Sequence, residues 1–166
     1  KKQYGYMFNT EFVPAENLGI KNAKWDSKDG YQVNRDCYNS YFYLVEDNDT
    51  NHLDKFVLHG KEITQYLDGG SALHLNLDEA LSAEAYLKLF NVAAATGCNY
   101  FCINVKITIC NDCEKIDKRT LMLCHTCGSD NIDHGTRVIG YLKRVTSFSQ
   151  GRQKEHALRH YHKESA

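Results

Sequence analysis

Apolar and polar positions alternate along this chain in short blocks whose period changes from one block to the next. Residues 4–8 (YGYMF) alternate weakly and read as a short buried strand. Residues 9–17 form a polar loop stiffened by Pro14. Residues 21–36, rich in lysine, asparagine and aspartate and containing Gly30, read as surface loop. Residues 37–46 (CYNSYFYLVE) carry the aromatic and β-branched content of a strand, and residues 47–51 a turn. Residues 54–66 read as a helix that stops near Asp68-Gly69-Gly70, and residues 69–77 as a glycine turn entering a strand. Ser82 is a good N-cap with Glu84 in the first turn. Ala83, Leu87, Phe90 and Ala94 then recur at helical spacing, and Gly97 supplies the stop. Residues 100–109 (YFCINVKITI) give the strongest strand signal. Residues 137–142 are a short apolar segment interrupted by Gly140, and residues 149–162 read as a basic terminal helix. The order of elements is mixed α/β.

Composition narrows the functional classes. The chain has 166 residues, about one domain's worth. Lysine plus arginine (20) balances aspartate plus glutamate (21), which argues against a strongly basic nucleic-acid binder or an acidic tail protein. No apolar run approaches the roughly 18 residues of a membrane span, so no membrane partner is expected. The first residues, Lys1-Lys2-Gln3-Tyr4-Gly5, lack an initiator methionine and the pattern of a signal peptide. They run straight into a strand-like stretch, so the expectation is a piece of a longer polypeptide or a chain that docks onto one. Arg137, Lys143, Arg144, Arg152, Lys154, Arg159 and Lys163, with His156, His160 and His162, make the end of the chain basic. A solvated helix face is the plain reading, and a docking surface the alternative.

The cysteines carry chemistry. Their number, seven, fits poorly with a closed disulfide framework. Four fall into two pairs, Cys110-x-x-Cys113 and Cys124-x-x-Cys127-Gly128, separated by ten residues. Each pair makes a tight knuckle with both thiolates on one side of a turn, and two knuckles at the ends of a hairpin complete a tetrahedron around Zn²⁺. Gly128 relieves backbone crowding after the second pair. With four protein ligands the site is closed, leaving no position for water activation, and so structural. Cys37, Cys98 and Cys102 read as packing residues, since free cysteine behaves as a small buried hydrophobe.

Thirteen residues after Cys127 stands Gly140, within Thr136-Arg137-Val138-Ile139-Gly140-Tyr141-Leu142. A radical at a glycine Cα is shared between the adjacent amide nitrogen and carbonyl if the centre becomes planar, and glycine has no Cβ to oppose this. Paired C-x-x-C motifs followed by R-V-I-G-Y-L and a basic helix resemble the anaerobic (class III) ribonucleoside-triphosphate reductases, members of the glycyl radical enzymes. Upstream segments agree: residues 11–19 (EFVPAENLG), 35–41 (RDCYNSY), 68–74 (DGGSALH) and 97–101 (GCNYF). The resemblance runs from about residue 8 to about residue 162.

It implies the C-terminal part of a ten-stranded α/β barrel, followed by a four-cysteine zinc ribbon and a glycyl radical loop. Residues 1–104 would supply the last barrel strands and helices, 105–134 the zinc ribbon, and 135–166 the glycyl loop and basic terminal helix. In the family, an activating enzyme of the radical S-adenosylmethionine class removes a hydrogen from the glycine. The radical passes to a cysteine on an opposing loop, whose thiyl abstracts the 3′-hydrogen of a ribonucleoside triphosphate. Water then leaves C2′, and many members take formate as reductant. Carried over by motif, Gly140 is the radical store, Cys110, Cys113, Cys124 and Cys127 hold Zn²⁺, and Glu16 is the substrate-end carboxylate, with Glu11 a weaker candidate. The thiyl cysteine lies upstream of the matching segment, and none of the seven cysteines occupies it. The implied partners are the activating enzyme, the nucleotide, formate, the amino-terminal part of the reductase and a second copy in a homodimer. Direct nucleic-acid binding is not among them, and the implied location is cytoplasmic. Two other readings compete: an autonomous spare part that replaces an oxygen-cleaved glycyl terminus, and a zinc-ribbon binding module without radical chemistry.

Overall fold

The computed structural model describes residues 3–14, 18–39, 41–137 and 141–162. Its elements alternate between helix and strand, as the mixed α/β pattern predicts, and pack into two compact units that interleave along the chain. One unit takes residues 1–14, 49–75 and 81–102, and the other residues 15–48, 76–80 and 103–166.

In the first unit, β1 (Glu11–Phe12) lies parallel to β2 (Gly70–Leu77), pairing Glu11 with Gly70 and Phe12 with Ser71. Nearly every residue of β2 is buried, the pattern of a parallel strand covered on both faces. Residues 4–8 do not form the expected strand. They precede β1 without a ladder and leave Tyr6 and Met7 exposed. The expected helix over 54–66 is two helices, α2 (His52–Leu58) and α3 (Lys61–Thr64). The break falls at Gly60, where an added Cβ would meet the Thr96 carbonyl oxygen at 2.5 Å. Thr96 ends α4 (Ala83–Thr96), whose predicted caps are both present. The Ser82 side chain accepts from the Ala85 amide, and Gly97 adopts φ 77° while its N–H reaches the Ala93 carbonyl. Phe56 is fully buried against the edge of Phe101, 5.1 Å between centroids, and Phe90 meets the same ring at 5.4 Å.

The predicted strand over 100–109 divides at Lys106. β3 (Tyr100–Val105) completes a three-stranded sheet in the order β1-β2-β3. β4 (Ile107–Cys110) enters a separate antiparallel sheet with β5 (Ile116–Asp117), β6 (Ile132–Arg137) and β7 (Leu142–Arg144), in the order β5-β4-β6-β7.

Two further expectations for the second unit are corrected. Residues 21–36 are not all loop, because α1 (Leu18–Lys28) covers the first part. Only Gly19 and Ala23 of α1 are buried, so the helix has a small-residue contact face and no apolar stripe to read. At Gly19 an added Cβ would stand 2.5 Å from the Tyr38 carbonyl oxygen. Residues 37–46 are aromatic, yet the described ones among them form no strand. The Asn39 side-chain amide donates to the carbonyls of Tyr41 and Tyr43, at 2.6 and 2.5 Å, and so takes acceptors that a ladder would use.

The rings of Tyr41 and Tyr43 stack 5.5 Å apart near α5 (Gln150–Leu158). Here the solvated-face reading of the basic tail fails for two of its members. Arg152 and Arg159 are 2% and 7% exposed, and both donate to Glu155 Oε1, at 2.7 and 3.1 Å. The Arg159 guanidinium also lies 5.4 Å from the Tyr41 ring centroid, a cation–π contact. After α5 the chain bridges to the end of β2, with the His162 N–H donating to the Asn76 carbonyl and the Asp78 N–H to that of His162. No helix among the described residues is long and apolar enough to cross a membrane.

Candidate metal centre

Cys110 closes β4, and Cys113 follows one turn later. The turn is fixed by the Cys110 N–H donating to the Lys115 carbonyl at 3.0 Å. The second knuckle repeats this geometry: the Cys124 N–H donates to the Ser129 carbonyl at 2.7 Å. Each knuckle also needs a left-handed residue directly after its second cysteine. Gly128 fills that place at φ 75°, and Glu114 fills the equivalent one at φ 58°. Glu114 is the one described non-glycine residue with positive φ. The sequence pointed to Gly128, whereas Glu114 is legible only once the two knuckles are superposed in thought.

The knuckles bring all four sulfurs within 4.8 Å of one another. Cys110 Sγ lies 3.6 Å from Cys127 Sγ, and Cys113 Sγ 3.5 Å from Cys124 Sγ. These separations are far too long for a disulfide. They come close to the edge of about 3.8 Å of a tetrahedron with 2.3 Å zinc–sulfur bonds. Cys110 and Cys124 are buried, while Cys127 is exposed. Cys37, Cys98 and Cys102 take no part in this group.

The electrostatics suit a cation. The N–H groups of Cys127 and Thr126 point at Cys124 and hold its thiol down to about 6. At Cys127 the Ser129 amide lowers the thiol, but Cys113, burial, Cys110 and Cys124 outweigh it and push the thiol up to about 12. Four sulfurs this close cannot all carry negative charge without a positive ion among them. The donor set is soft and four-coordinate, so it fits Zn²⁺ held by Cys110, Cys113, Cys124 and Cys127. Such an ion would cross-link two turns that have little core of their own.

Polar side chains brace the knuckles from outside. Asp112 accepts from Ser129 Oγ at 2.5 Å and from Asn131 Nδ2 at 2.6 Å, so the first knuckle is tied to the residues after the second. Asn111 Nδ2 donates to Asn131 Oδ1 at 3.1 Å. Behind the metal strand, the buried Thr108 hydroxyl donates to the Arg119 carbonyl and accepts from the Leu121 N–H, both at 2.8 Å. The sequence reading missed these residues. The signal of Asn111, Asp112, Ser129 and Asn131 was the run of small polar side chains inside and just after the C-x-x-C pairs.

β6 pairs with β4 from Ile107↔Gly135 to Cys110↔Ile132 and with β7 from Gly135↔Arg144 to Arg137↔Leu142. In sequence, Gly140 stands between Arg137 and Leu142, the paired ends of β6 and β7. Gly140 itself and Glu16 lie outside the described residues.

A family model for anaerobic ribonucleoside-triphosphate reductase matches residues 1–162. The chain belongs to this family. Among solved structures, an anaerobic ribonucleotide reductase is similar over 99% of this chain, with 28% identity and a TM-score of 0.80. The anaerobic ribonucleotide reductase from Thermotoga maritima in complex with dATP and CTP is similar over 93% of it, with 28% identity and a TM-score of 0.72. The form of that enzyme with glycerol in the active site gives 28% identity, 93% coverage and a TM-score of 0.73. The chain spans about a quarter of the length of these reductases, covering 26%, 25% and 24% of the respective chains. No curated protein matches it significantly.

Proposed function

We propose that this chain is the radical-storing, C-terminal part of an anaerobic ribonucleoside-triphosphate reductase. Residues 1–104 contribute barrel strands and helices, 105–134 the zinc ribbon, and 135–166 the glycyl loop and its terminal helix. The observation that carries the reading is the register of the metal-bearing sheet, in which Arg137 pairs with Leu142 and so brackets Gly140.

An activating enzyme of the radical S-adenosylmethionine class takes one hydrogen atom from the Gly140 Cα. With no Cβ to crowd it, the centre flattens and shares the unpaired electron with the flanking peptide groups. The radical then passes to a cysteine contributed by the amino-terminal part of the enzyme, outside this chain. That thiyl takes the 3′-hydrogen of a ribonucleoside triphosphate and water leaves C2′, with formate as reductant. Glu16, carried over by motif from the family's substrate-end carboxylate, takes or holds the proton of a ribose hydroxyl. The zinc site stays closed and structural, and its sheet carries the hairpin. The assembled enzyme is a homodimer.

The test is reconstitution. Mixed anaerobically with the amino-terminal part and the activating enzyme, the chain is expected to restore deoxyribonucleotide formation. Gly140→Ala abolishes it, and Glu16→Gln lowers turnover while leaving the radical intact. A Gly140→Ala chain that restores turnover contradicts the reading, and a chain that needs no amino-terminal part favours a different activity.

A further inference from the structure

β7 is three residues long and lies at the edge of its sheet, with β6 as its one strand neighbour among the described residues. A strand this short is weakly held by its ladder alone. Arg144, at its end, makes up the difference. Its partner across the ladder is Gly135, which has no side chain, and the guanidinium extends from there toward β4. It approaches Asp133 Oδ2 at 3.6 Å and donates to Asn111 Oδ1 at 2.7 Å. Asp133, 8% exposed on β6, also accepts from the Thr146 hydroxyl at 2.6 Å, which fixes the chain just beyond β7. Asn111 stands between Cys110 and Cys113, inside the first metal knuckle, and is bonded in turn to Asn131.

We infer that Arg144 is a positioning residue that couples the metal knuckle to the hairpin bracketing Gly140, by bonding the strand that leaves the glycine segment to Asn111. The sheet ladder joins the metal strand to β6, the strand entering the hairpin. The Arg144–Asn111 bond supplies the matching connection on the leaving side. One nitrogen, Nη1, makes both contacts, so a single cationic donor at the end of a long stem faces Asn111 and Asp133 together. The role of Arg144 in the reductase rests on the reading of Gly140 as the radical store; the coupling itself does not.

Hydrogen–deuterium exchange in the zinc-loaded protein tests the coupling, with bound zinc measured in parallel. Losing a hydrogen bond to a charged group speeds local opening by roughly tenfold. Arg144→Ala is expected to keep its zinc while peptides covering 141–146 exchange about tenfold faster. Chelating zinc should accelerate the same peptides in both proteins, by about tenfold less in the variant, which has already lost the Asn111 bond. Unchanged exchange with zinc retained overturns the inference, and so does loss of zinc from Arg144→Ala, which would place the effect on the metal. If Arg144→Ala fails to fold, Arg144→Met decides: it keeps the stem, loses the donor, and should exchange about as fast as expected for Arg144→Ala, whereas wild-type rates overturn the inference. Radical yield by EPR after activation adds the functional reading, falling in Arg144→Ala toward the yield of zinc-stripped protein. Because exchange needs no activation, failure of the Gly140 reading would leave the exchange result standing.

Discussion

Replacing Glu155 by alanine removes a carboxylate that faces two buried guanidiniums. Arg152 and Arg159 donate to the same oxygen, at 2.7 and 3.1 Å, and all three residues are no more than 7% exposed. Breaking a buried ion pair by deleting one partner costs about 3–5 kcal/mol, mainly because the surviving charge is left unsolvated. The unfolding entropy of a chain of 166 residues is roughly 0.35 kcal/mol/K, so this loss lowers Tm by about 9–14 °C. Glu155→Gln keeps an acceptor oxygen and loses the charge, so about half that cost is expected. The internal control is Glu84→Ala, whose partner Lys88 lies 2.9 Å away with both side chains about three-quarters exposed. That exposed pair is worth about 0.5 kcal/mol or less. Urea unfolding followed by circular dichroism supplies the free energies, and a thermal scan the Tm. Replacing all three members of the triad by leucine or methionine should be far milder than Glu155→Ala alone, since the cost lies in the orphaned charge. If Glu155→Ala falls within about 1 kcal/mol of the Glu84→Ala control, the triad is not the buried, mutually dependent unit described above.

Three more outcomes follow from the geometry. Gly128→Ala meets no atom within 4 Å, so its cost is backbone alone, about 1–2 kcal/mol at φ 75°; Glu114→Gly, at φ 58°, should recover up to about 1 kcal/mol, both read as shifts in thermal midpoint of the zinc form. Chelation, or Cys113→Ser, should disorder residues 107–137 while the Phe56–Phe101 packing persists, as amide exchange resolved along the chain would show; uniform loss of protection would contradict this. His59 is buried, bonded to the Ser71 hydroxyl at 2.6 Å, and held neutral, its pKa pushed by burial from 6.5 to about 4. The unfolded chain therefore binds the proton first as pH falls, and stability present above about pH 6.5 is lost progressively down to about pH 4. Urea midpoints between pH 7 and 4.5 should slope less steeply in His59→Gln, and an unchanged slope would refute the assignment.

Legibility in the sequence tracked how local each cause was. The four-cysteine cluster stood out because both C-x-x-C pairs are set by a few consecutive residues, and α4 because its Ser82 and Gly97 caps act within one turn. α1 was hidden because its contact face is Gly19 and Ala23, whose value depends on a carbonyl from Tyr38 arriving from elsewhere. The aromatic run at 37–46 looked like a strand because composition cannot show that Asn39 would occupy its carbonyls. Arg152 and Arg159 looked solvated because burial of a charge is decided by Glu155 and the tyrosines that fold over it. Arg144 stood in the sequence as one more basic residue of the tail, since its partners Asn111 and Asp133 become neighbours only through sheet register.

The central claim is that Gly140 stores the radical. Anaerobic EPR of the chain, assembled with the amino-terminal part and treated with the activating enzyme, tests it most directly. The single hydrogen left on the Gly140 Cα should split the signal into a doublet. Gly140→Ala, with its zinc retained, should give no signal. The same spectrum from Gly140→Ala would contradict the account.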